Sequence, residues 1–178
     1  MDIIDSTYSN KHKLQGIKNN LCSIDKDEWI NVLYNDRNEQ NGNKLRTYRK
    51  YKNCLTVSSY VKNVSNSQHR RVLSNFRSGC LPLAIETGRW TKPKTPLNER
   101  KCNFCNQNAI ENETHFLLDC NFYSDLQHFL TVYACSLSEN FINLNTEEKF
   151  IFIMSNDTIQ PFLAKTLYSM FYRRKYCK

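Results

Sequence analysis

Three cysteines and one histidine form the group of residues in this chain that is best suited to chemistry. Two residues separate Cys102 from Cys105, and a loop of nine residues separates that pair from His115. Cys120 follows five residues later. Three thiolates and an imidazole form a full tetrahedral set of zinc ligands, which leaves no open position for a catalytic water. The pattern therefore predicts one structural Zn²⁺ per chain, held by a CxxC hairpin and the segment that follows it.

The step from His115 to Cys120 constrains the local backbone. The run from Glu113 to Leu118 predicts a short helix with His115 near its start. On an ideal α-helix the five-residue step is a rotation of about 140°, so the two side chains point to different sides. For both to reach one metal ion, we expect the helix to end or distort before Cys120.

Two other interpretations of the four residues remain open from the sequence. They could be ordinary buried residues, or part of a disulfide framework, since the chain has eight cysteines. The cysteines are thinly spread, and the N-terminus lacks the basic-then-apolar pattern of a secretory signal, which disfavours disulfides. We expect a nuclear or cytoplasmic protein. The other cysteines are then small apolar residues or free thiols: Cys22, Cys54, Cys80, Cys135 and Cys177.

Basic charge is concentrated in the segment that leads into this site. The net charge is +8, but residues 44–101 have fourteen Lys and Arg against two acids, whereas residues 102–178 have six against eight. Clustered like charges repel one another, and RNA or DNA relieves that repulsion. A solvated helix surface that only keeps the chain soluble is the alternative explanation. The predicted phosphate contacts are Arg46, Arg49, Lys50, Lys52, Arg70, Arg71, Arg77 and Arg89.

Three aromatic side chains could stack on unpaired bases beside these phosphate contacts. They are Tyr48, Trp90 and Phe104. For Tyr48 and Trp90 we expect a place in the core in preference to a role in base stacking. Phe104, inside the CxxC, is the one expected at the surface.

The periodicity of apolar residues predicts a mainly α protein, a small helical domain with an embedded zinc hairpin and a short helix. Composition divides the chain into a polar tail (1–24), a basic helical region (25–90), a Pro/Lys linker (91–99), a CCHC zinc-binding segment (100–122) and a C-terminal helical region (123–178). No apolar run approaches the length of a membrane span. We therefore expect no membrane partner, and nothing indicates a small-molecule substrate.

Local signals predict where individual helices begin and end. One helix is expected from Asp25 to about Asp36, followed by an Asn-rich loop over 38–43 and a further helix over 44–62. Asn66 and Ser67 should cap a helix over 68–78, with Arg70, Arg71 and Arg77 pointing outward. Later helices are expected from Pro82 to Gly88, over 122–137, from a Thr146 cap, and from Pro161 with the apolar stripe Leu163, Leu167, Met170 and Phe171.

Four segments in a fixed order, 44–52, 73–90, 100–105 and 111–120, resemble the C-terminal region of non-LTR (LINE-type) retrotransposon reverse transcriptases. The likeness spans roughly residues 25 to 176. In that family this region follows the polymerase thumb, ends in a CCHC zinc-binding segment, and grips template RNA or target DNA during target-primed reverse transcription. The resemblance implies zinc ligation by Cys102, Cys105, His115 and Cys120. It also implies RNA, DNA or a full-length reverse transcriptase as partners.

The catalytic motifs of such polymerases are absent from this sequence. The palm of a polymerase needs an aromatic-x-Asp-Asp turn and a further Asp to hold two metal ions, and no Asp-Asp dipeptide occurs here. No endonuclease carboxylate cluster is visible either. We therefore expect a non-catalytic, zinc-dependent nucleic-acid-binding module and no enzyme. The alternatives are a zinc-stabilised protein-interaction domain and an inactive fragment of a reverse transcriptase.

Overall fold

The computed structural model of this protein describes residues 3–35 and 43–176, with side chains from residue 12 onward in the first helix. In these residues the chain is mainly helical, as the sequence predicts, and the extended backbone forms only an isolated antiparallel bridge between Lys101 and Ile110. The α-helices are α1 (Ile3–Tyr34), α2 (Tyr60–Asn63), α3 (Ser67–Arg77), α4 (Ala84–Thr87), α5 (Ser124–Leu137), α6 (Thr146–Ser155) and α7 (Gln160–Tyr176). None of these described helices is long and apolar enough to cross a membrane.

Helix α7 is the centre of the packed core. It packs against α3 and α5 and also contacts α2 and α6. Leu163, Leu167 and Met170 are fully buried, and Phe171 packs against them at partial exposure, which confirms the predicted apolar stripe. Burying each large aliphatic side chain contributes about 1.5–3 kcal/mol. This contribution holds α7 in place beside the segment that contains the four Cys and His residues.

Asparagine side chains cap the first turns of two helices in this core. The Oδ1 atom of Asn66 accepts hydrogen bonds from the backbone N–H groups two and three residues later, which confirms the predicted start of α3. At α6 the capping residue is Asn145 and not Thr146. The Asn145 side chain accepts from the Glu148 N–H at 3.0 Å, and the Glu148 carboxylate accepts from the Asn145 N–H at 2.9 Å. This reciprocal pair satisfies two backbone donors that have no partner within the helix.

Helix α1 begins at Ile3, so the expected start at Asp25 is wrong. The residues between them contain no proline and a single glycine, Gly16, so nothing interrupts the helix. The C-terminal end of α1 joins the rest of the protein through Leu33, which is buried, and through the Asn43 amide, which donates to the Leu33 carbonyl oxygen at 3.2 Å. That bond satisfies a carbonyl group of the last helical turn. The predicted Asn-rich loop lies mostly outside the described residues.

The helix expected over residues 44–62 does not form. This segment has one 3-10 turn, Tyr48–Lys50, and the single turn of α2. Its side chains reach inward: the Tyr51 hydroxyl donates to the Arg77 carbonyl oxygen at 3.2 Å, and Arg46 pairs with buried carboxylates. Tertiary contacts of this kind override a weak helical propensity. Two other helices begin about two residues later than predicted: α4 begins at Ala84 and not at Pro82, and α5 begins at Ser124 and not at residue 122.

Candidate metal centre and adjoining groove

The four predicted ligands meet at one point in the structure. The Sγ atoms of Cys102 and Cys120 lie 3.8 Å apart, and Cys105 Sγ lies 3.4 Å from His115 Nε2. All four ligand atoms are within 4.8 Å of one another. An ion with metal–sulfur bonds of about 2.3 Å and a metal–nitrogen bond of about 2.0 Å separates tetrahedral ligands by roughly 3.5–3.8 Å. The cluster therefore has the dimensions of a tetrahedral metal site and could hold a metal ion.

A hairpin presents the first two ligands. The Cys102 N–H donates to the Ala109 carbonyl oxygen at 2.9 Å, and the Glu111 N–H donates to the Arg100 carbonyl oxygen at 2.9 Å. These two bonds pair the strands on either side of the CxxC and fix the direction in which its thiols point. The hairpin is therefore set by backbone pairing between residues close in sequence.

A turn of π-helix presents the other two ligands. It spans His115–Asp119 and is closed by a bond from the Cys120 N–H to the His115 carbonyl oxygen at 2.8 Å. Because the hydrogen bonds of a π-helix span five residues and not four, Cys120 returns to the side of the turn that bears His115. The predicted distortion before Cys120 is confirmed, and its form is this wider turn.

Burial in the cluster favours the uncharged forms of the ligands. It raises the pKa of the Cys102 and Cys120 thiols and lowers the pKa of the His115 imidazole. Metals bind the thiolate and the neutral imidazole, so an ion has to displace protons from sulfur. A bound divalent cation would compensate the thiolate charge that the site disfavours by itself. The residues therefore fit a metal ion in chemistry as well as in spacing.

A buried ion pair joins the hairpin of residues 100–111, called the metal hairpin below, to helix α7. Glu111 is 2% exposed, and its carboxylate accepts two hydrogen bonds from the Arg174 guanidinium and one from the Ala84 N–H, the last at 2.7 Å. Glu111 Oε1 also lies 3.7 Å from Cys102 Sγ. The Arg174 guanidinium covers the Phe104 ring, 4.3 Å from its centroid. One carboxylate thus connects the hairpin, α4 and α7.

No protein-family model, curated protein or solved structure matches this chain. The resemblance to retrotransposon reverse transcriptases stays a prediction carried by the sequence motifs. The metal site is supported by its own geometry and donor chemistry.

A second buried network contains two of the predicted phosphate contacts. Arg46 donates to both oxygens of Glu113, at 2.8 and 2.9 Å, and also pairs with Glu86. The two carboxylates are almost inaccessible, with side-chain exposures of 2% and 6%, and Arg89 Nε lies 3.4 Å from Glu86. Burial raises the pKa of Glu113, and the charge of Arg46 opposes that rise. Arg46 and Arg89 are therefore engaged by internal carboxylates.

Arg77 faces the core, so its predicted outward orientation is wrong. It is 6% exposed and donates to the Met154 carbonyl oxygen at 2.8 Å and to Gln160 Oε1 at 3.2 Å. Its guanidinium also lies over the rings of Tyr51 and Tyr60, at 4.7 and 5.1 Å from their centroids. A buried guanidinium needs such partners because it cannot lose its proton. Arg77 is a structural residue.

The remaining predicted phosphate contacts occupy different environments. Arg49 and Arg70 donate to backbone carbonyl groups, Lys50 pairs with an exposed glutamate, and Lys52 donates to a threonine hydroxyl. Arg71 is exposed. The structure therefore divides the eight predicted residues between internal contacts and positions at the surface.

The predicted positions of the aromatic residues are partly reversed. Trp90 is 71% exposed, so its expected place in the core is wrong, and Lys44 Nζ lies 5.5 Å from its ring centroid. Phe104 is half-buried and packs 5.4 Å from the Phe122 ring. Tyr48 is half-buried as well. Phe104 was expected at the surface, but it is half-buried because the hairpin packs against α7, where the Arg174 guanidinium covers the Phe104 ring.

A groove of about 1100 Å³ lies between the metal hairpin and the end of α7. Phe104 lines it from the hairpin, and α7 contributes Tyr168, Tyr172 and Tyr176. These tyrosines repeat every four residues and therefore share one face of the helix. Tyr172 and Tyr176 are 58% and 60% exposed, with ring centroids 4.5 Å apart. This surface was not predicted from the sequence, although the regular spacing of the tyrosines is a signal that could have indicated it.

Proposed function

We propose that this protein is a non-catalytic, zinc-dependent nucleic-acid-binding module, as its resemblance to the tail of a retrotransposon reverse transcriptase implies. Zinc is the proposed ion because three sulfurs and one imidazole nitrogen in a closed cluster are the donors of structural zinc sites, whereas magnesium and calcium take oxygen ligands. The ion would cross-link the hairpin to the π-helical turn. Through Glu111 and Arg174 it would also fix the hairpin against α7.

The observation that carries this proposal is the tyrosine-lined groove beside the metal hairpin. Exposed aromatic rings offer flat surfaces on which unpaired bases stack, irrespective of their sequence. Duplexes hide the faces of their bases, so single-stranded RNA or DNA is the ligand class that suits such a groove. Arg174 and Lys175 line the same groove and would attract the phosphate backbone.

Charge outside the groove also supports a polyanionic partner. Arg71 is exposed on α3, next to the groove residue Val72, and the exposed lysines Lys92 and Lys94 lie in the linker that precedes the zinc-binding segment. The net charge of +8 also favours a polyanionic partner. Binding that neutralises phosphates releases counterions, so affinity should fall steeply as salt is added.

Replacing Tyr172 by Ala is expected to weaken binding of single-stranded RNA by about tenfold, because a base that stacks on an aromatic ring gains about 1–3 kcal/mol. The dissociation constant can be measured by fluorescence anisotropy with a short labelled RNA, with DNA of the same sequence and with a duplex. Phe129→Ala is the matched control, since Phe129 is also an exposed aromatic residue, at 61%, but lies outside the groove. Equal affinities of the two variants would contradict the stacking surface.

Replacing Arg71 by Ala is expected to weaken binding to all sequences alike. The slope of the logarithm of the binding constant against the logarithm of the salt concentration should become shallower by about one, as the loss of one phosphate contact requires. Lys26→Ala removes an exposed positive charge from α1, a helix that contributes none of the described residues lining the groove, and serves as the control. The comparison uses binding isotherms at several salt concentrations. If both variants change the slope equally, Arg71 makes no particular phosphate contact.

A second candidate function, a zinc-stabilised protein-interaction domain, is favoured by the exposed apolar residues of α1. A full-length reverse transcriptase is the partner that the resemblance suggests. Co-purification of the two proteins in the presence of nuclease would separate this function from a contact bridged by nucleic acid.

A further inference from the structure

Helix α1 has an apolar face that no other described part of the protein covers. Leu14, Ile17, Leu21 and Ile24 are 67%, 57%, 56% and 55% exposed. Among the described residues, α1 packs against the rest of the protein at its C-terminal end, where Leu33 is buried. Burying exposed leucine and isoleucine side chains is favourable, so a continuous face of this kind indicates a partner.

The spacing of the four residues is that of a coiled-coil seam. They follow one another at intervals of three, four and three residues, which places Leu14 and Leu21 at a positions and Ile17 and Ile24 at d positions of two heptads. A helix that packs on the side of a globular core shows a wider apolar stripe. The narrow seam therefore suits a single partner helix.

The charges beside this seam are divided between the two halves of the helix. Lys13 and Lys18 flank its beginning, and Asp25 and Asp27 flank its end; all four are exposed. In a parallel pair of such helices, g and e positions of successive heptads meet, so Lys13 would lie beside Lys18 of the partner subunit. In an antiparallel pair, g positions meet g positions and e positions meet e positions. Lys13 would then lie beside Asp27 of the partner subunit in two symmetry-related pairs, against one repulsive contact between Lys18 and Lys18 of the partner subunit in the middle of the seam. Charge complementarity therefore selects the antiparallel arrangement.

We infer that α1 joins two copies of this chain as an antiparallel coiled coil. In this register Leu14 packs against Ile24 of the partner subunit and Ile17 packs against Leu21 of the partner subunit. Four apolar layers result, each made by one a and one d residue. The layers end where Glu28 occupies the next a position, so the seam is short and the dimer is weak, because short helical pairs are marginally stable.

The arrangement has a geometric consequence. The twofold axis passes near residue 19, about fifteen residues from the end of α1, so the two globular parts lie roughly 45 Å apart at opposite ends of the pair. Two binding sites joined in this way can engage one long ligand with a higher effective affinity than one site. The inference of the dimer itself does not depend on the proposed nucleic-acid function.

Sedimentation equilibrium of the full zinc-loaded chain, over roughly 5 to 200 µM, tests for the concentration-dependent association that a weak dimer requires. We expect a monomer–dimer equilibrium. Leu21→Asp should raise the dissociation constant by about a hundredfold or more, because it places a charge in an apolar layer. Asn19→Asp introduces the same charge at an exposed f position, away from the seam, and should leave association unchanged. Circular dichroism of each variant shows whether α1 remains helical.

Charge reversal tests the orientation of the helices. Lys13→Asp and Asp27→Lys should each weaken the dimer by about tenfold at low salt, because both symmetry-related pairs become repulsive, and the double variant should restore it. Lys26→Asp makes the same charge change at an f position and is the control. A chain that stays monomeric, an unaffected Leu21→Asp variant, or a Lys13→Asp variant that associates more tightly, as a parallel pair requires, would overturn the inference.

Discussion

Replacing Cys120 by Ser is expected to abolish metal binding and to destabilise the fold severely. Cys120 is fully buried, and its sulfur lies 3.8 Å from that of Cys102. A serine hydroxyl is a poor zinc ligand, so the site would lose one of its four donors. Structural zinc ions contribute apparent binding free energies of about 10–16 kcal/mol to folding at neutral pH. Even a partial loss of that contribution would unfold the hairpin.

Unfolding would extend beyond the hairpin because the ligand segment is also part of the core. Phe116 and Leu117, in the π-helical turn, are fully buried. We therefore expect the zinc content, measured by atomic spectrometry, to fall from one ion per chain to nearly none. The thermal unfolding midpoint should fall by at least about 10 °C, since a domain of this size shifts by about 2–4 °C for each kcal/mol.

The chain offers a control for this variant. Cys135 lies on α5, is half-buried and is not part of the metal cluster. Cys135→Ser should retain one zinc ion, with a midpoint close to that of the original protein. A Cys120→Ser protein that keeps one zinc ion at full occupancy would exclude Cys120 as a ligand.

Replacing Arg46 by Ala is expected to destabilise the fold by roughly 3 kcal/mol, because it leaves two buried carboxylates without their main partner. The effect is on folding, although the sequence predicted a contact with phosphate. Both oxygens of Glu113 accept hydrogen bonds from Arg46, and after the substitution Glu86 would keep the nearby guanidinium of Arg89. The free energy of unfolding can be measured by urea denaturation of the zinc-loaded chain.

Two further variants separate this buried pair from an ordinary surface charge. Glu113→Gln combined with Arg46→Ala removes one of the two carboxylate charges that Arg46→Ala leaves without its main partner, and should recover part of the lost stability. Lys50→Ala breaks an exposed ion pair, with side-chain exposures of 42% and 46%, and should cost less than about 1 kcal/mol. If Arg46→Ala is as mild as Lys50→Ala, the buried network does not stabilise the fold.

The features that the sequence predicted correctly are those determined by neighbouring residues. The ligand spacing, the Asn66 cap and the stripe on α7 each depend on a few positions within one or two turns. Even the distortion between His115 and Cys120 follows from the requirement that both side chains reach one point. Such local rules need no knowledge of the tertiary fold.

The errors concern residues whose environment depends on distant parts of the chain. Arg46 and Glu113 are 67 residues apart, and Arg77 and Gln160 are 83 residues apart, so nothing local indicates that these arginines are inside. The basic segment 44–101 therefore contains arginines that bind internal groups, such as Arg46 and Arg77, as well as arginines at the surface, such as Arg71. Trp90 shows the opposite error, since an aromatic residue expected in the core is exposed.

Glu111 best illustrates what composition alone conceals. It is one of eight acids in a region of nearly balanced charge, yet it connects the metal hairpin to α4 and α7. Through Arg174 and Phe104 it also shapes one wall of the tyrosine-lined groove. The metal centre and the groove are therefore parts of one structure, and disturbing the first should disturb the second.

The most direct test of the account is to measure the binding of a short single-stranded RNA by the full chain, with zinc bound and after removal by a chelator, over a range of salt concentrations. We expect binding that weakens steeply with salt, is lost with the metal, and returns when zinc is restored. Binding that is unchanged without the metal would contradict a zinc-dependent module. The absence of binding by a chain that carries one zinc ion would contradict the nucleic-acid function and leave the metal site in place.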